Sequence, residues 1–573
     1  MYDLLSRTQK LIVNSNSPKL IVRACPGSGK TFTVSAILSE KVKKWNKNNI
    51  GIATLSFTNV AWQKINENFL NFDLNAELKY PHFIKTIDSF INGFIFLPFG
   101  HLIMNCKTRP ILVGEPYGVW SGRYFSEQWF DKTSFDIRGN IIFTKNYPIH
   151  PKKESRSAMV IFNKKLELIK AGYANQDDAN YFALKVLQKY PNIANALVGR
   201  FPEVIIDEAQ DTTEIQMAII DELVKAGLRE IILVGDQDQA IFEWNTANPQ
   251  LFQEKTENWE CIILNECHRS SQKICDFTYK LSSLKSKAIA VSKDVSGYLS
   301  NPHIVKLVSL KETVDSFITL CEKSSIKINK ENVAILCRSK RLVSDIAKTL
   351  GEREAFQESL IDNYYDIWDP DFFWVRDICH GKYLIDNGEY KKGYKLIEMG
   401  LFKFLNQNLN FSRDALRNFV QKYNFIKWRK EIHETVNLIP ITSLQLGAWI
   451  FQFPKEISGI PLINNLNKAL KNRKYAELEI SSIFDRTNSI IEKLLFRLGT
   501  IHSVKGETFE ATLLVINNKA QNTKYSTILS KTIPGKLKDE ELRTLYVAIT
   551  RPRKILMLAV PIEDYNMWRS FFN

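Results

Sequence analysis

Short runs of consecutive apolar residues alternate along this chain with longer stretches whose apolar positions recur at helical spacing. The first runs are Leu20-Ile21-Val22, Ile50 to Leu55, Val204-Ile205-Ile206, Ile231 to Val234 and Ile262-Ile263-Leu264. A second set follows at Val333 to Leu336, Thr512 to Ile516 and Ile555 to Leu558. Unbroken runs of this length predict strands covered on both faces, as in a parallel sheet. Helical patterns separate most of them, so the predicted class is α/β with doubly wound sheets. The runs concentrate in 1–91, 196–265, 266–355 and 487–573. The stretches 92–195 and 356–486 are rich in aromatic and basic residues and follow helical spacing. The economical architecture is two parallel-sheet cores, 1–91 with 196–265 and 266–355 with 487–573. Each is interrupted by an inserted, mainly helical domain, 92–195 in the first and 356–486 in the second.

Composition narrows the class. The 573 residues are 45% hydrophobic and 24% charged, a globular balance that excludes a disordered chain, a collagen-like fibre and a disulfide mini-protein. No apolar run reaches the roughly 18 residues of a membrane span. The first residues, Met-Tyr-Asp-Leu-Leu-Ser-Arg, lack the apolar centre of a secretion signal, so a cytoplasmic protein with no membrane partner is expected. Lysine and arginine total 77 against 62 aspartate and glutamate, a net charge of +15. That surplus fits a polyanionic partner such as nucleic acid, and equally a lysine-rich proteome. The eight cysteines contain no CxxC pair. Cys261, Cys267, His268 and Cys275 cluster in sequence at a spacing that matches no zinc knuckle or ribbon, and all eight are expected to be reduced thiols.

Two strand ends carry chemistry. Leu20-Ile21-Val22 runs into Ala24-Cys25-Pro26-Gly27-Ser28-Gly29-Lys30-Thr31, and a helical pattern begins at Phe32. Strand, glycine loop and helix in this order form a P-loop, in which backbone N–H groups cradle phosphate oxygens at a helix N-terminus. Lys30 would neutralise β- and γ-phosphate charge, and the Thr31 hydroxyl would hold Mg²⁺. Val204-Ile205-Ile206 ends in Asp207-Glu208-Ala209-Gln210-Asp211, the Walker B arrangement. There Asp207 would coordinate Mg²⁺ and Glu208 would polarise the attacking water as a general base.

The next segment, Val234-Gly235-Asp236-Gln237-Asp238-Gln239-Ala240-Ile241-Phe242-Glu243-Trp244, is distinctive. With it the chain resembles the UvrD/Rep/PcrA branch of superfamily-one DNA helicases. Leu5-Ser6-Arg7-Thr8-Gln9 resembles the family's Q motif, Leu55-Ser56-Phe57-Thr58-Asn59 its strand-contacting motif, and Thr86-Ile87-Asp88-Ser89-Phe90 its TxHSF element with Asp88 at the histidine position. Leu264 to Ser270 is similar to the NYRS motif, Gly499 to Gly506 to TxHSxKG, and Leu545 to Arg551 to YVxxTR.

The resemblance implies two RecA-like P-loop ATPase cores with ATP and Mg²⁺ between them, and 3′-to-5′ movement on single-stranded DNA. It implies catalytic roles for Lys30, Glu208, Gln239 as γ-phosphate sensor, and Arg269 and Arg551 as arginine fingers. Nucleotide contacts are expected from Gln9, Ala24, Cys25, Pro26, Gly27, Ser28, Gly29, Lys30, Thr31, Phe32, His268, Lys505 and Gly506, with Thr31 and Asp207 on the metal. DNA contacts are expected from Phe57, Thr58, Asn59, Thr86, Phe242, Trp244 and His502, the aromatics by base stacking. Single-stranded and duplex-junction DNA are the implied partners.

The chain departs from the family pattern at several positions. His268 replaces the adenine-stacking tyrosine, Phe32 an arginine, and Asn245-Thr246 an arginine-glycine pair. Glu507-Thr508-Phe509 displaces the family's leucine and glutamate. The compact second insert, and the little chain after Arg551, fit an alternative role, similar to the helicase subunits of Gabija-type antiviral systems. In that role the chain would be an ATPase that senses DNA ends and regulates a partner nuclease. A non-catalytic DNA scaffold is disfavoured by the intact Lys30, Glu208, Gln239, Arg269 and Arg551.

Overall fold

The computed structural model describes residues 4–72, 80–113, 129–144, 155–241, 248–350, 367–406, 416, 419, 420, 422–457, 459–461, 466–484, 494–517, 525–530 and 539–572. It divides into two compact units, Met1–Leu112 with Asp131–Ile346 and Leu495–Asn573, and Val113–Phe130 with Ala347–Leu494. Among the described residues no helix is long and apolar enough to cross a membrane.

Two large sheets and several two-stranded pieces make up the described strands of the first unit. One large sheet contains β1 (Lys19–Ala24), β2 (Ile52–Ser56), β3 (Phe83–Thr86), β4 (Glu203–Ile206), β5 (Glu230–Gly235) and β6 (Glu260–Leu264), in the order β6-β1-β5-β4-β2-β3. The other contains β7 (His303–Lys306), β8 (Val333–Cys337), β9 (Arg497–Thr500), β10 (Phe509–Val515) and β11 (Pro552–Val560), in the order β7-β11-β10-β8-β9. Every neighbouring pair in both sheets is parallel. The class is therefore mixed α/β with parallel sheets. Central strands such as β2 and β8 are buried at every residue, which is why they read as unbroken apolar runs.

Three strands are not visible as apolar runs. β3, β7 and β9 are each four residues long and lie at sheet edges, and polar residues break each of them. The stretch 92–195 is not purely helical either. Ile111–Leu112 pairs with Tyr173–Ala174, and Thr133–Phe135 pairs antiparallel with Ile141–Phe143. Its helix Gln176–Lys189 sends Phe182, Leu184 and Val186 into the same core as Ile21, Ala53 and Val204 of the first sheet. Inside that packing Lys165 and Asp178, both fully buried, form an ion pair at 2.6 Å. Lys165 also donates to the Thr133 carbonyl at 2.7 Å.

The second unit is helical apart from one two-stranded piece among its described residues, Glu456–Ile457 with Ile460–Pro461. Helices Phe373–Asp386 and Tyr390–Leu405 meet at Gly381, Gly393 and Gly400. A Cβ on Gly400 would stand 2.6 Å from Ile378 Cγ1, so side-chain-free positions let the two backbones close up. In helix Phe425–Leu438, Trp428 is fully buried and donates to Glu398 Oε1 at 2.9 Å. Phe425, Ile426, Lys427, Arg429 and Lys430 face solvent. The basic-aromatic segment is thus an amphipathic helix with a charged outer face.

Candidate functional site

Parallel strands deliver all their carboxyl ends to one edge, so the loops after β1, β4, β5 and β6 gather there. The loop after β1 turns through Gly27 (φ +73°) and Gly29 (φ +75°), left-handed conformations that an L side chain resists. Space is equally restrictive: a Cβ on Gly27 would lie 2.4 Å from Arg269 Cβ. Gly29 then opens the helix Lys30–Lys43. The backbone N–H of exposed His268 donates to the Gly27 carbonyl at 2.9 Å, which holds this loop against the segment after β6.

Gln9 braces the same loop from beneath. It lies in helix α1 (Arg7–Val13) as half of a capping box with Ser6, its Oε1 accepting from Ser6 N at 3.0 Å. Its Nε2 donates to the Ser28 carbonyl at 3.3 Å and to Thr33 Oγ1 at 3.1 Å. Gln9 is 1% exposed, so both ends of its amide are spent on the protein. Ala24, Cys25, Pro26 and Ser28 are buried, whereas Gly27, Gly29, Lys30, Thr31 and Phe32 are half-buried. Phe32 packs on Phe72 with ring centroids 5.0 Å apart.

Thr31 Oγ1 donates to Asp207 Oδ2 at 2.8 Å, which joins the glycine loop to the acids after β4. Burial, reinforced by the charge of Glu208, pushes Asp207 up to about 7, against the Thr31 hydrogen bond and Lys30. On Glu208 burial is outweighed by Lys30, Lys505, a hydrogen bond from Gln210 and Arg551, and its carboxyl is held below the usual range. The adjacent acids are thereby pulled apart, one retaining a proton near neutrality and the other ionised. Glu208 also sits at φ +54°, a strained conformation for a side chain with a Cβ and one that clusters at functional sites.

The loop after β5 adds Asp236 and Gln239. Gln239 Nε2 donates to Asp236 Oδ2 at 2.7 Å, and Arg551 Nη2 donates to Gln239 Oε1 at 3.0 Å. Arg551 is 1% exposed and also donates to the Val547 carbonyl at 2.8 Å. Burial and Asp238 push Asp236 up to about 7, opposed by Lys30. Arg269 Nη1 donates to the Thr550 carbonyl at 3.1 Å. Lys505 Nζ contacts both Asp211 carboxylate oxygens, at 2.7 and 3.0 Å. Burial pushes Asp211 up to about 6, opposed mainly by Lys505. Lys30, Asp207, Glu208, Gln239, Arg269, Lys505 and Arg551 therefore converge on the space between the two sheets of one unit. Gly506 is exposed beside them.

Three members of this constellation are not singled out by sequence reasoning. Asp211 and Asp236 lie within recognisable motifs, and their carboxylates are the available signal. Arg543, whose Nε donates to the Ala240 carbonyl at 2.7 Å, has no signal beyond its place in the helix Glu540–Ile549.

Of the residues expected on DNA, those after β2 and at the end of β3 lie at the carboxyl edge of the first sheet, and His502 follows a strand of the second. Thr58 and Asn59, exposed, and half-buried Phe57 follow β2. Thr86 ends β3, in register with Ser56, and its hydroxyl accepts from Ser89 N at 3.1 Å. His502 follows β9 and hydrogen-bonds the Ile241 backbone. Phe242 and Trp244 lie outside the described residues. Asp88 accepts from Gln216 at 2.8 Å and Asn180 at 3.3 Å, so at the family's histidine position it ties the first sheet to two helices.

Known proteins share this sequence pattern. Residues 5–101 and 140–260 match the UvrD/REP helicase N-terminal domain. A probable DNA helicase II homolog of Mycoplasma capricolum is 26% identical over 333 residues, covering 54% of this chain and 45% of that protein. The ATP-dependent DNA helicase PcrA of Bacillus subtilis is 24% identical over 290 residues, 47% of this chain and 38% of the relative. A shorter match, 32% over 108 residues, joins 18% of the chain to 9% of the exonuclease/helicase protein RexA of Streptococcus pneumoniae. The chain thus spans less than half the length of the curated relatives it matches. This domain match falls on the sheet that carries the glycine loop and the paired acids, so that part of the chain is similar to the UvrD/REP helicase N-terminal domain.

Proposed function

We propose that this protein is an ATP-dependent DNA translocase and helicase of UvrD type, built on two RecA-like cores, 1–91 with 196–265 and 266–355 with 487–573. The observation that carries the reading is the Thr31–Asp207 contact at 2.8 Å, with Lys30 and Glu208 beside it and Arg551 reaching Gln239 from the second sheet. ATP would lie against the loop 25–31 with its γ-phosphate toward Glu208. Glu208, held ionised, accepts a proton from the attacking water, and Arg551 and Arg269 offset charge that develops on the γ-phosphate. Gln239, touching Arg551 and Asp236 at once, links phosphate loss to movement of the second core.

The donor set suits Mg²⁺: the neutral Thr31 hydroxyl lies 2.8 Å from the buried Asp207 carboxylate, two hard oxygen ligands side by side. Thr31 and Asp207 would hold the ion, which supplies positive charge to the phosphates. Single-stranded DNA would cross the carboxyl edges at Phe57, Thr58, Asn59, Thr86 and His502, and movement is proposed to run 3′ to 5′.

The test is ATP hydrolysis and strand separation on 3′-tailed and 5′-tailed duplexes. DNA-stimulated hydrolysis with unwinding of the 3′-tailed substrate is expected, and DNA affinity that falls steeply with salt. Hydrolysis on DNA ends without strand separation would favour a nuclease-regulating sensor. Absence of DNA-stimulated hydrolysis would overturn both.

A further inference from the structure

Cys25 at the foot of the glycine loop, Cys267 in the strand Glu266–Cys267 and Cys275 in the helix Gln272–Tyr279 converge in one small cluster. All three are free thiols and none is more than 3% exposed. Cys267 is central, its sulfur sharing hydrogen bonds with both Cys25 and Cys275 and accepting from Ser270 N at 3.4 Å. Those two thiol hydrogen bonds outweigh burial and hold Cys267 well below the usual thiol range, while Cys25 is pushed up. Cys275 Sγ also lies 3.9 Å from the Ser270 carbonyl. A narrow recess lined by Cys25, Cys267, Cys275, Ser270, Ser286 and Tyr546 leads to the sulfurs.

The cluster touches the site at its least adaptable point. Two residues after Cys25, the Gly27 carbonyl accepts from His268 N, and a Cβ on Gly27 would lie 3.2 Å from Cys267 Sγ. Cys25 and Cys267 therefore stand on the two segments whose contact shapes the loop, and Cys267 is two residues from Arg269.

We propose that Cys25 and Cys267 form a peroxide-sensitive dithiol whose disulfide closes the nucleotide site, an inference that rests on the nucleotide-binding reading of the loop. The Cys267 thiolate attacks one peroxide oxygen. The O–O bond breaks, hydroxide leaves and takes up a proton, and Cys267 becomes a sulfenic acid. The Cys25 sulfur then attacks that sulfur. The S–O bond breaks, and the departing hydroxide leaves as water with the Cys25 proton. Each cycle reduces one peroxide to two waters and oxidises two thiols by two electrons. The new bond draws the sulfurs from hydrogen-bond contact to about 2.05 Å. This drags the foot of the loop toward the strand and misaligns the N–H groups that would meet phosphate.

The full chain is treated with hydrogen peroxide, alkylated and mapped by mass spectrometry without reduction, and binding of a fluorescent ATP analogue is measured in parallel. A Cys25–Cys267 bridge is expected, with affinity lowered by about tenfold to a hundredfold, the scale of one lost hydrogen bond to a charged phosphate, and restored by dithiothreitol. C267S, or C267A if serine disturbs the apolar cluster, is expected to bind as the reduced wild type does and to ignore peroxide, while C275S still responds. No bridge, a Cys267–Cys275 bridge alone, unchanged affinity despite the bridge, or peroxide inhibition persisting in C267S would each overturn the proposal. If reduced wild type binds no nucleotide, the functional reading fails, and the peptide map still decides the dithiol.

Discussion

Arg551 donates from Nη2 to Gln239 Oε1 at 3.0 Å, and this contact joins the loop after β5 to the end of the helix that precedes β11. Gln239 is fixed on its other side by Asp236 at 2.7 Å, so the guanidinium meets a side chain that cannot swing away without breaking a second buried bond.

Arg551→Lys keeps the charge but not the fork of donors. Hydrolysis should fall by about 10³-fold, the scale of a lost arginine finger, with nucleotide affinity nearly unchanged. Single-turnover hydrolysis and equilibrium binding of an ATP analogue separate the two. An equal loss in both would make Arg551 a structural residue.

Glu208→Gln preserves shape and the Gln210 neighbour but removes the proposed proton acceptor. Turnover should drop by about 10²- to 10⁴-fold while the protein still binds ATP and DNA. Normal turnover in this variant would remove Glu208 from the role of base.

The Lys505–Asp211 pair sets a pH limit. Asp211 titrates at about 6, above the ordinary aspartate value, so it is charged and paired above pH 6 and loses its charge as pH falls through 6. In stability terms the raised value means that the folded state holds this proton more tightly than the unfolded chain. That contribution is complete below about pH 4 and disappears as pH rises through 6. Between pH 5 and 7 the ATPase profile should carry an inflection near 6 that Asp211→Asn, locked in the neutral form, lacks. A profile that is the same in the variant would detach Asp211 from the site.

Lys165→Met should destabilise the protein by about 3–5 kcal/mol, because it strands the Asp178 carboxylate without its cation in a fully buried place. Burial already pushes Lys165 down and Asp178 up. Lys165→Met combined with Asp178→Leu should recover much of the loss. Denaturant unfolding of the two variants is the measurement, and a double variant no better than the single would show that the pair contributes by packing alone.

Most of the central fold is legible in the chain because a strand covered on both faces must be apolar throughout. Val204-Ile205-Ile206 and Val333 to Leu336 can be read without coordinates, and β4 and β8 lie there. The edge strands β3, β7 and β9 escape because polar residues break each four-residue strand, whereas β6, also at an edge, keeps the run Ile262-Ile263-Leu264. The site is legible where chemistry is local. Lys30, Thr31, Asp207 and Glu208 follow their strands directly, and a strand end fixes where the next few residues must stand.

What the chain by itself determined is this local grammar: which segments are buried strands, and which reactive side chains sit at their carboxyl ends. Tertiary structure alone decided the partners separated by long stretches of sequence. It set Lys505 against Asp211, Arg551 against Gln239, Lys165 against Asp178, and gathered Cys25 with Cys267 and Cys275 rather than with neighbouring Cys261. The physical reason is that local pattern constrains a residue's backbone state and its face, whereas a contact between remote residues depends on how whole sheets and helices pack. Burial also reset the chemistry, since a carboxylate such as Asp207 reaches a value near 7 only when the fold has removed its water.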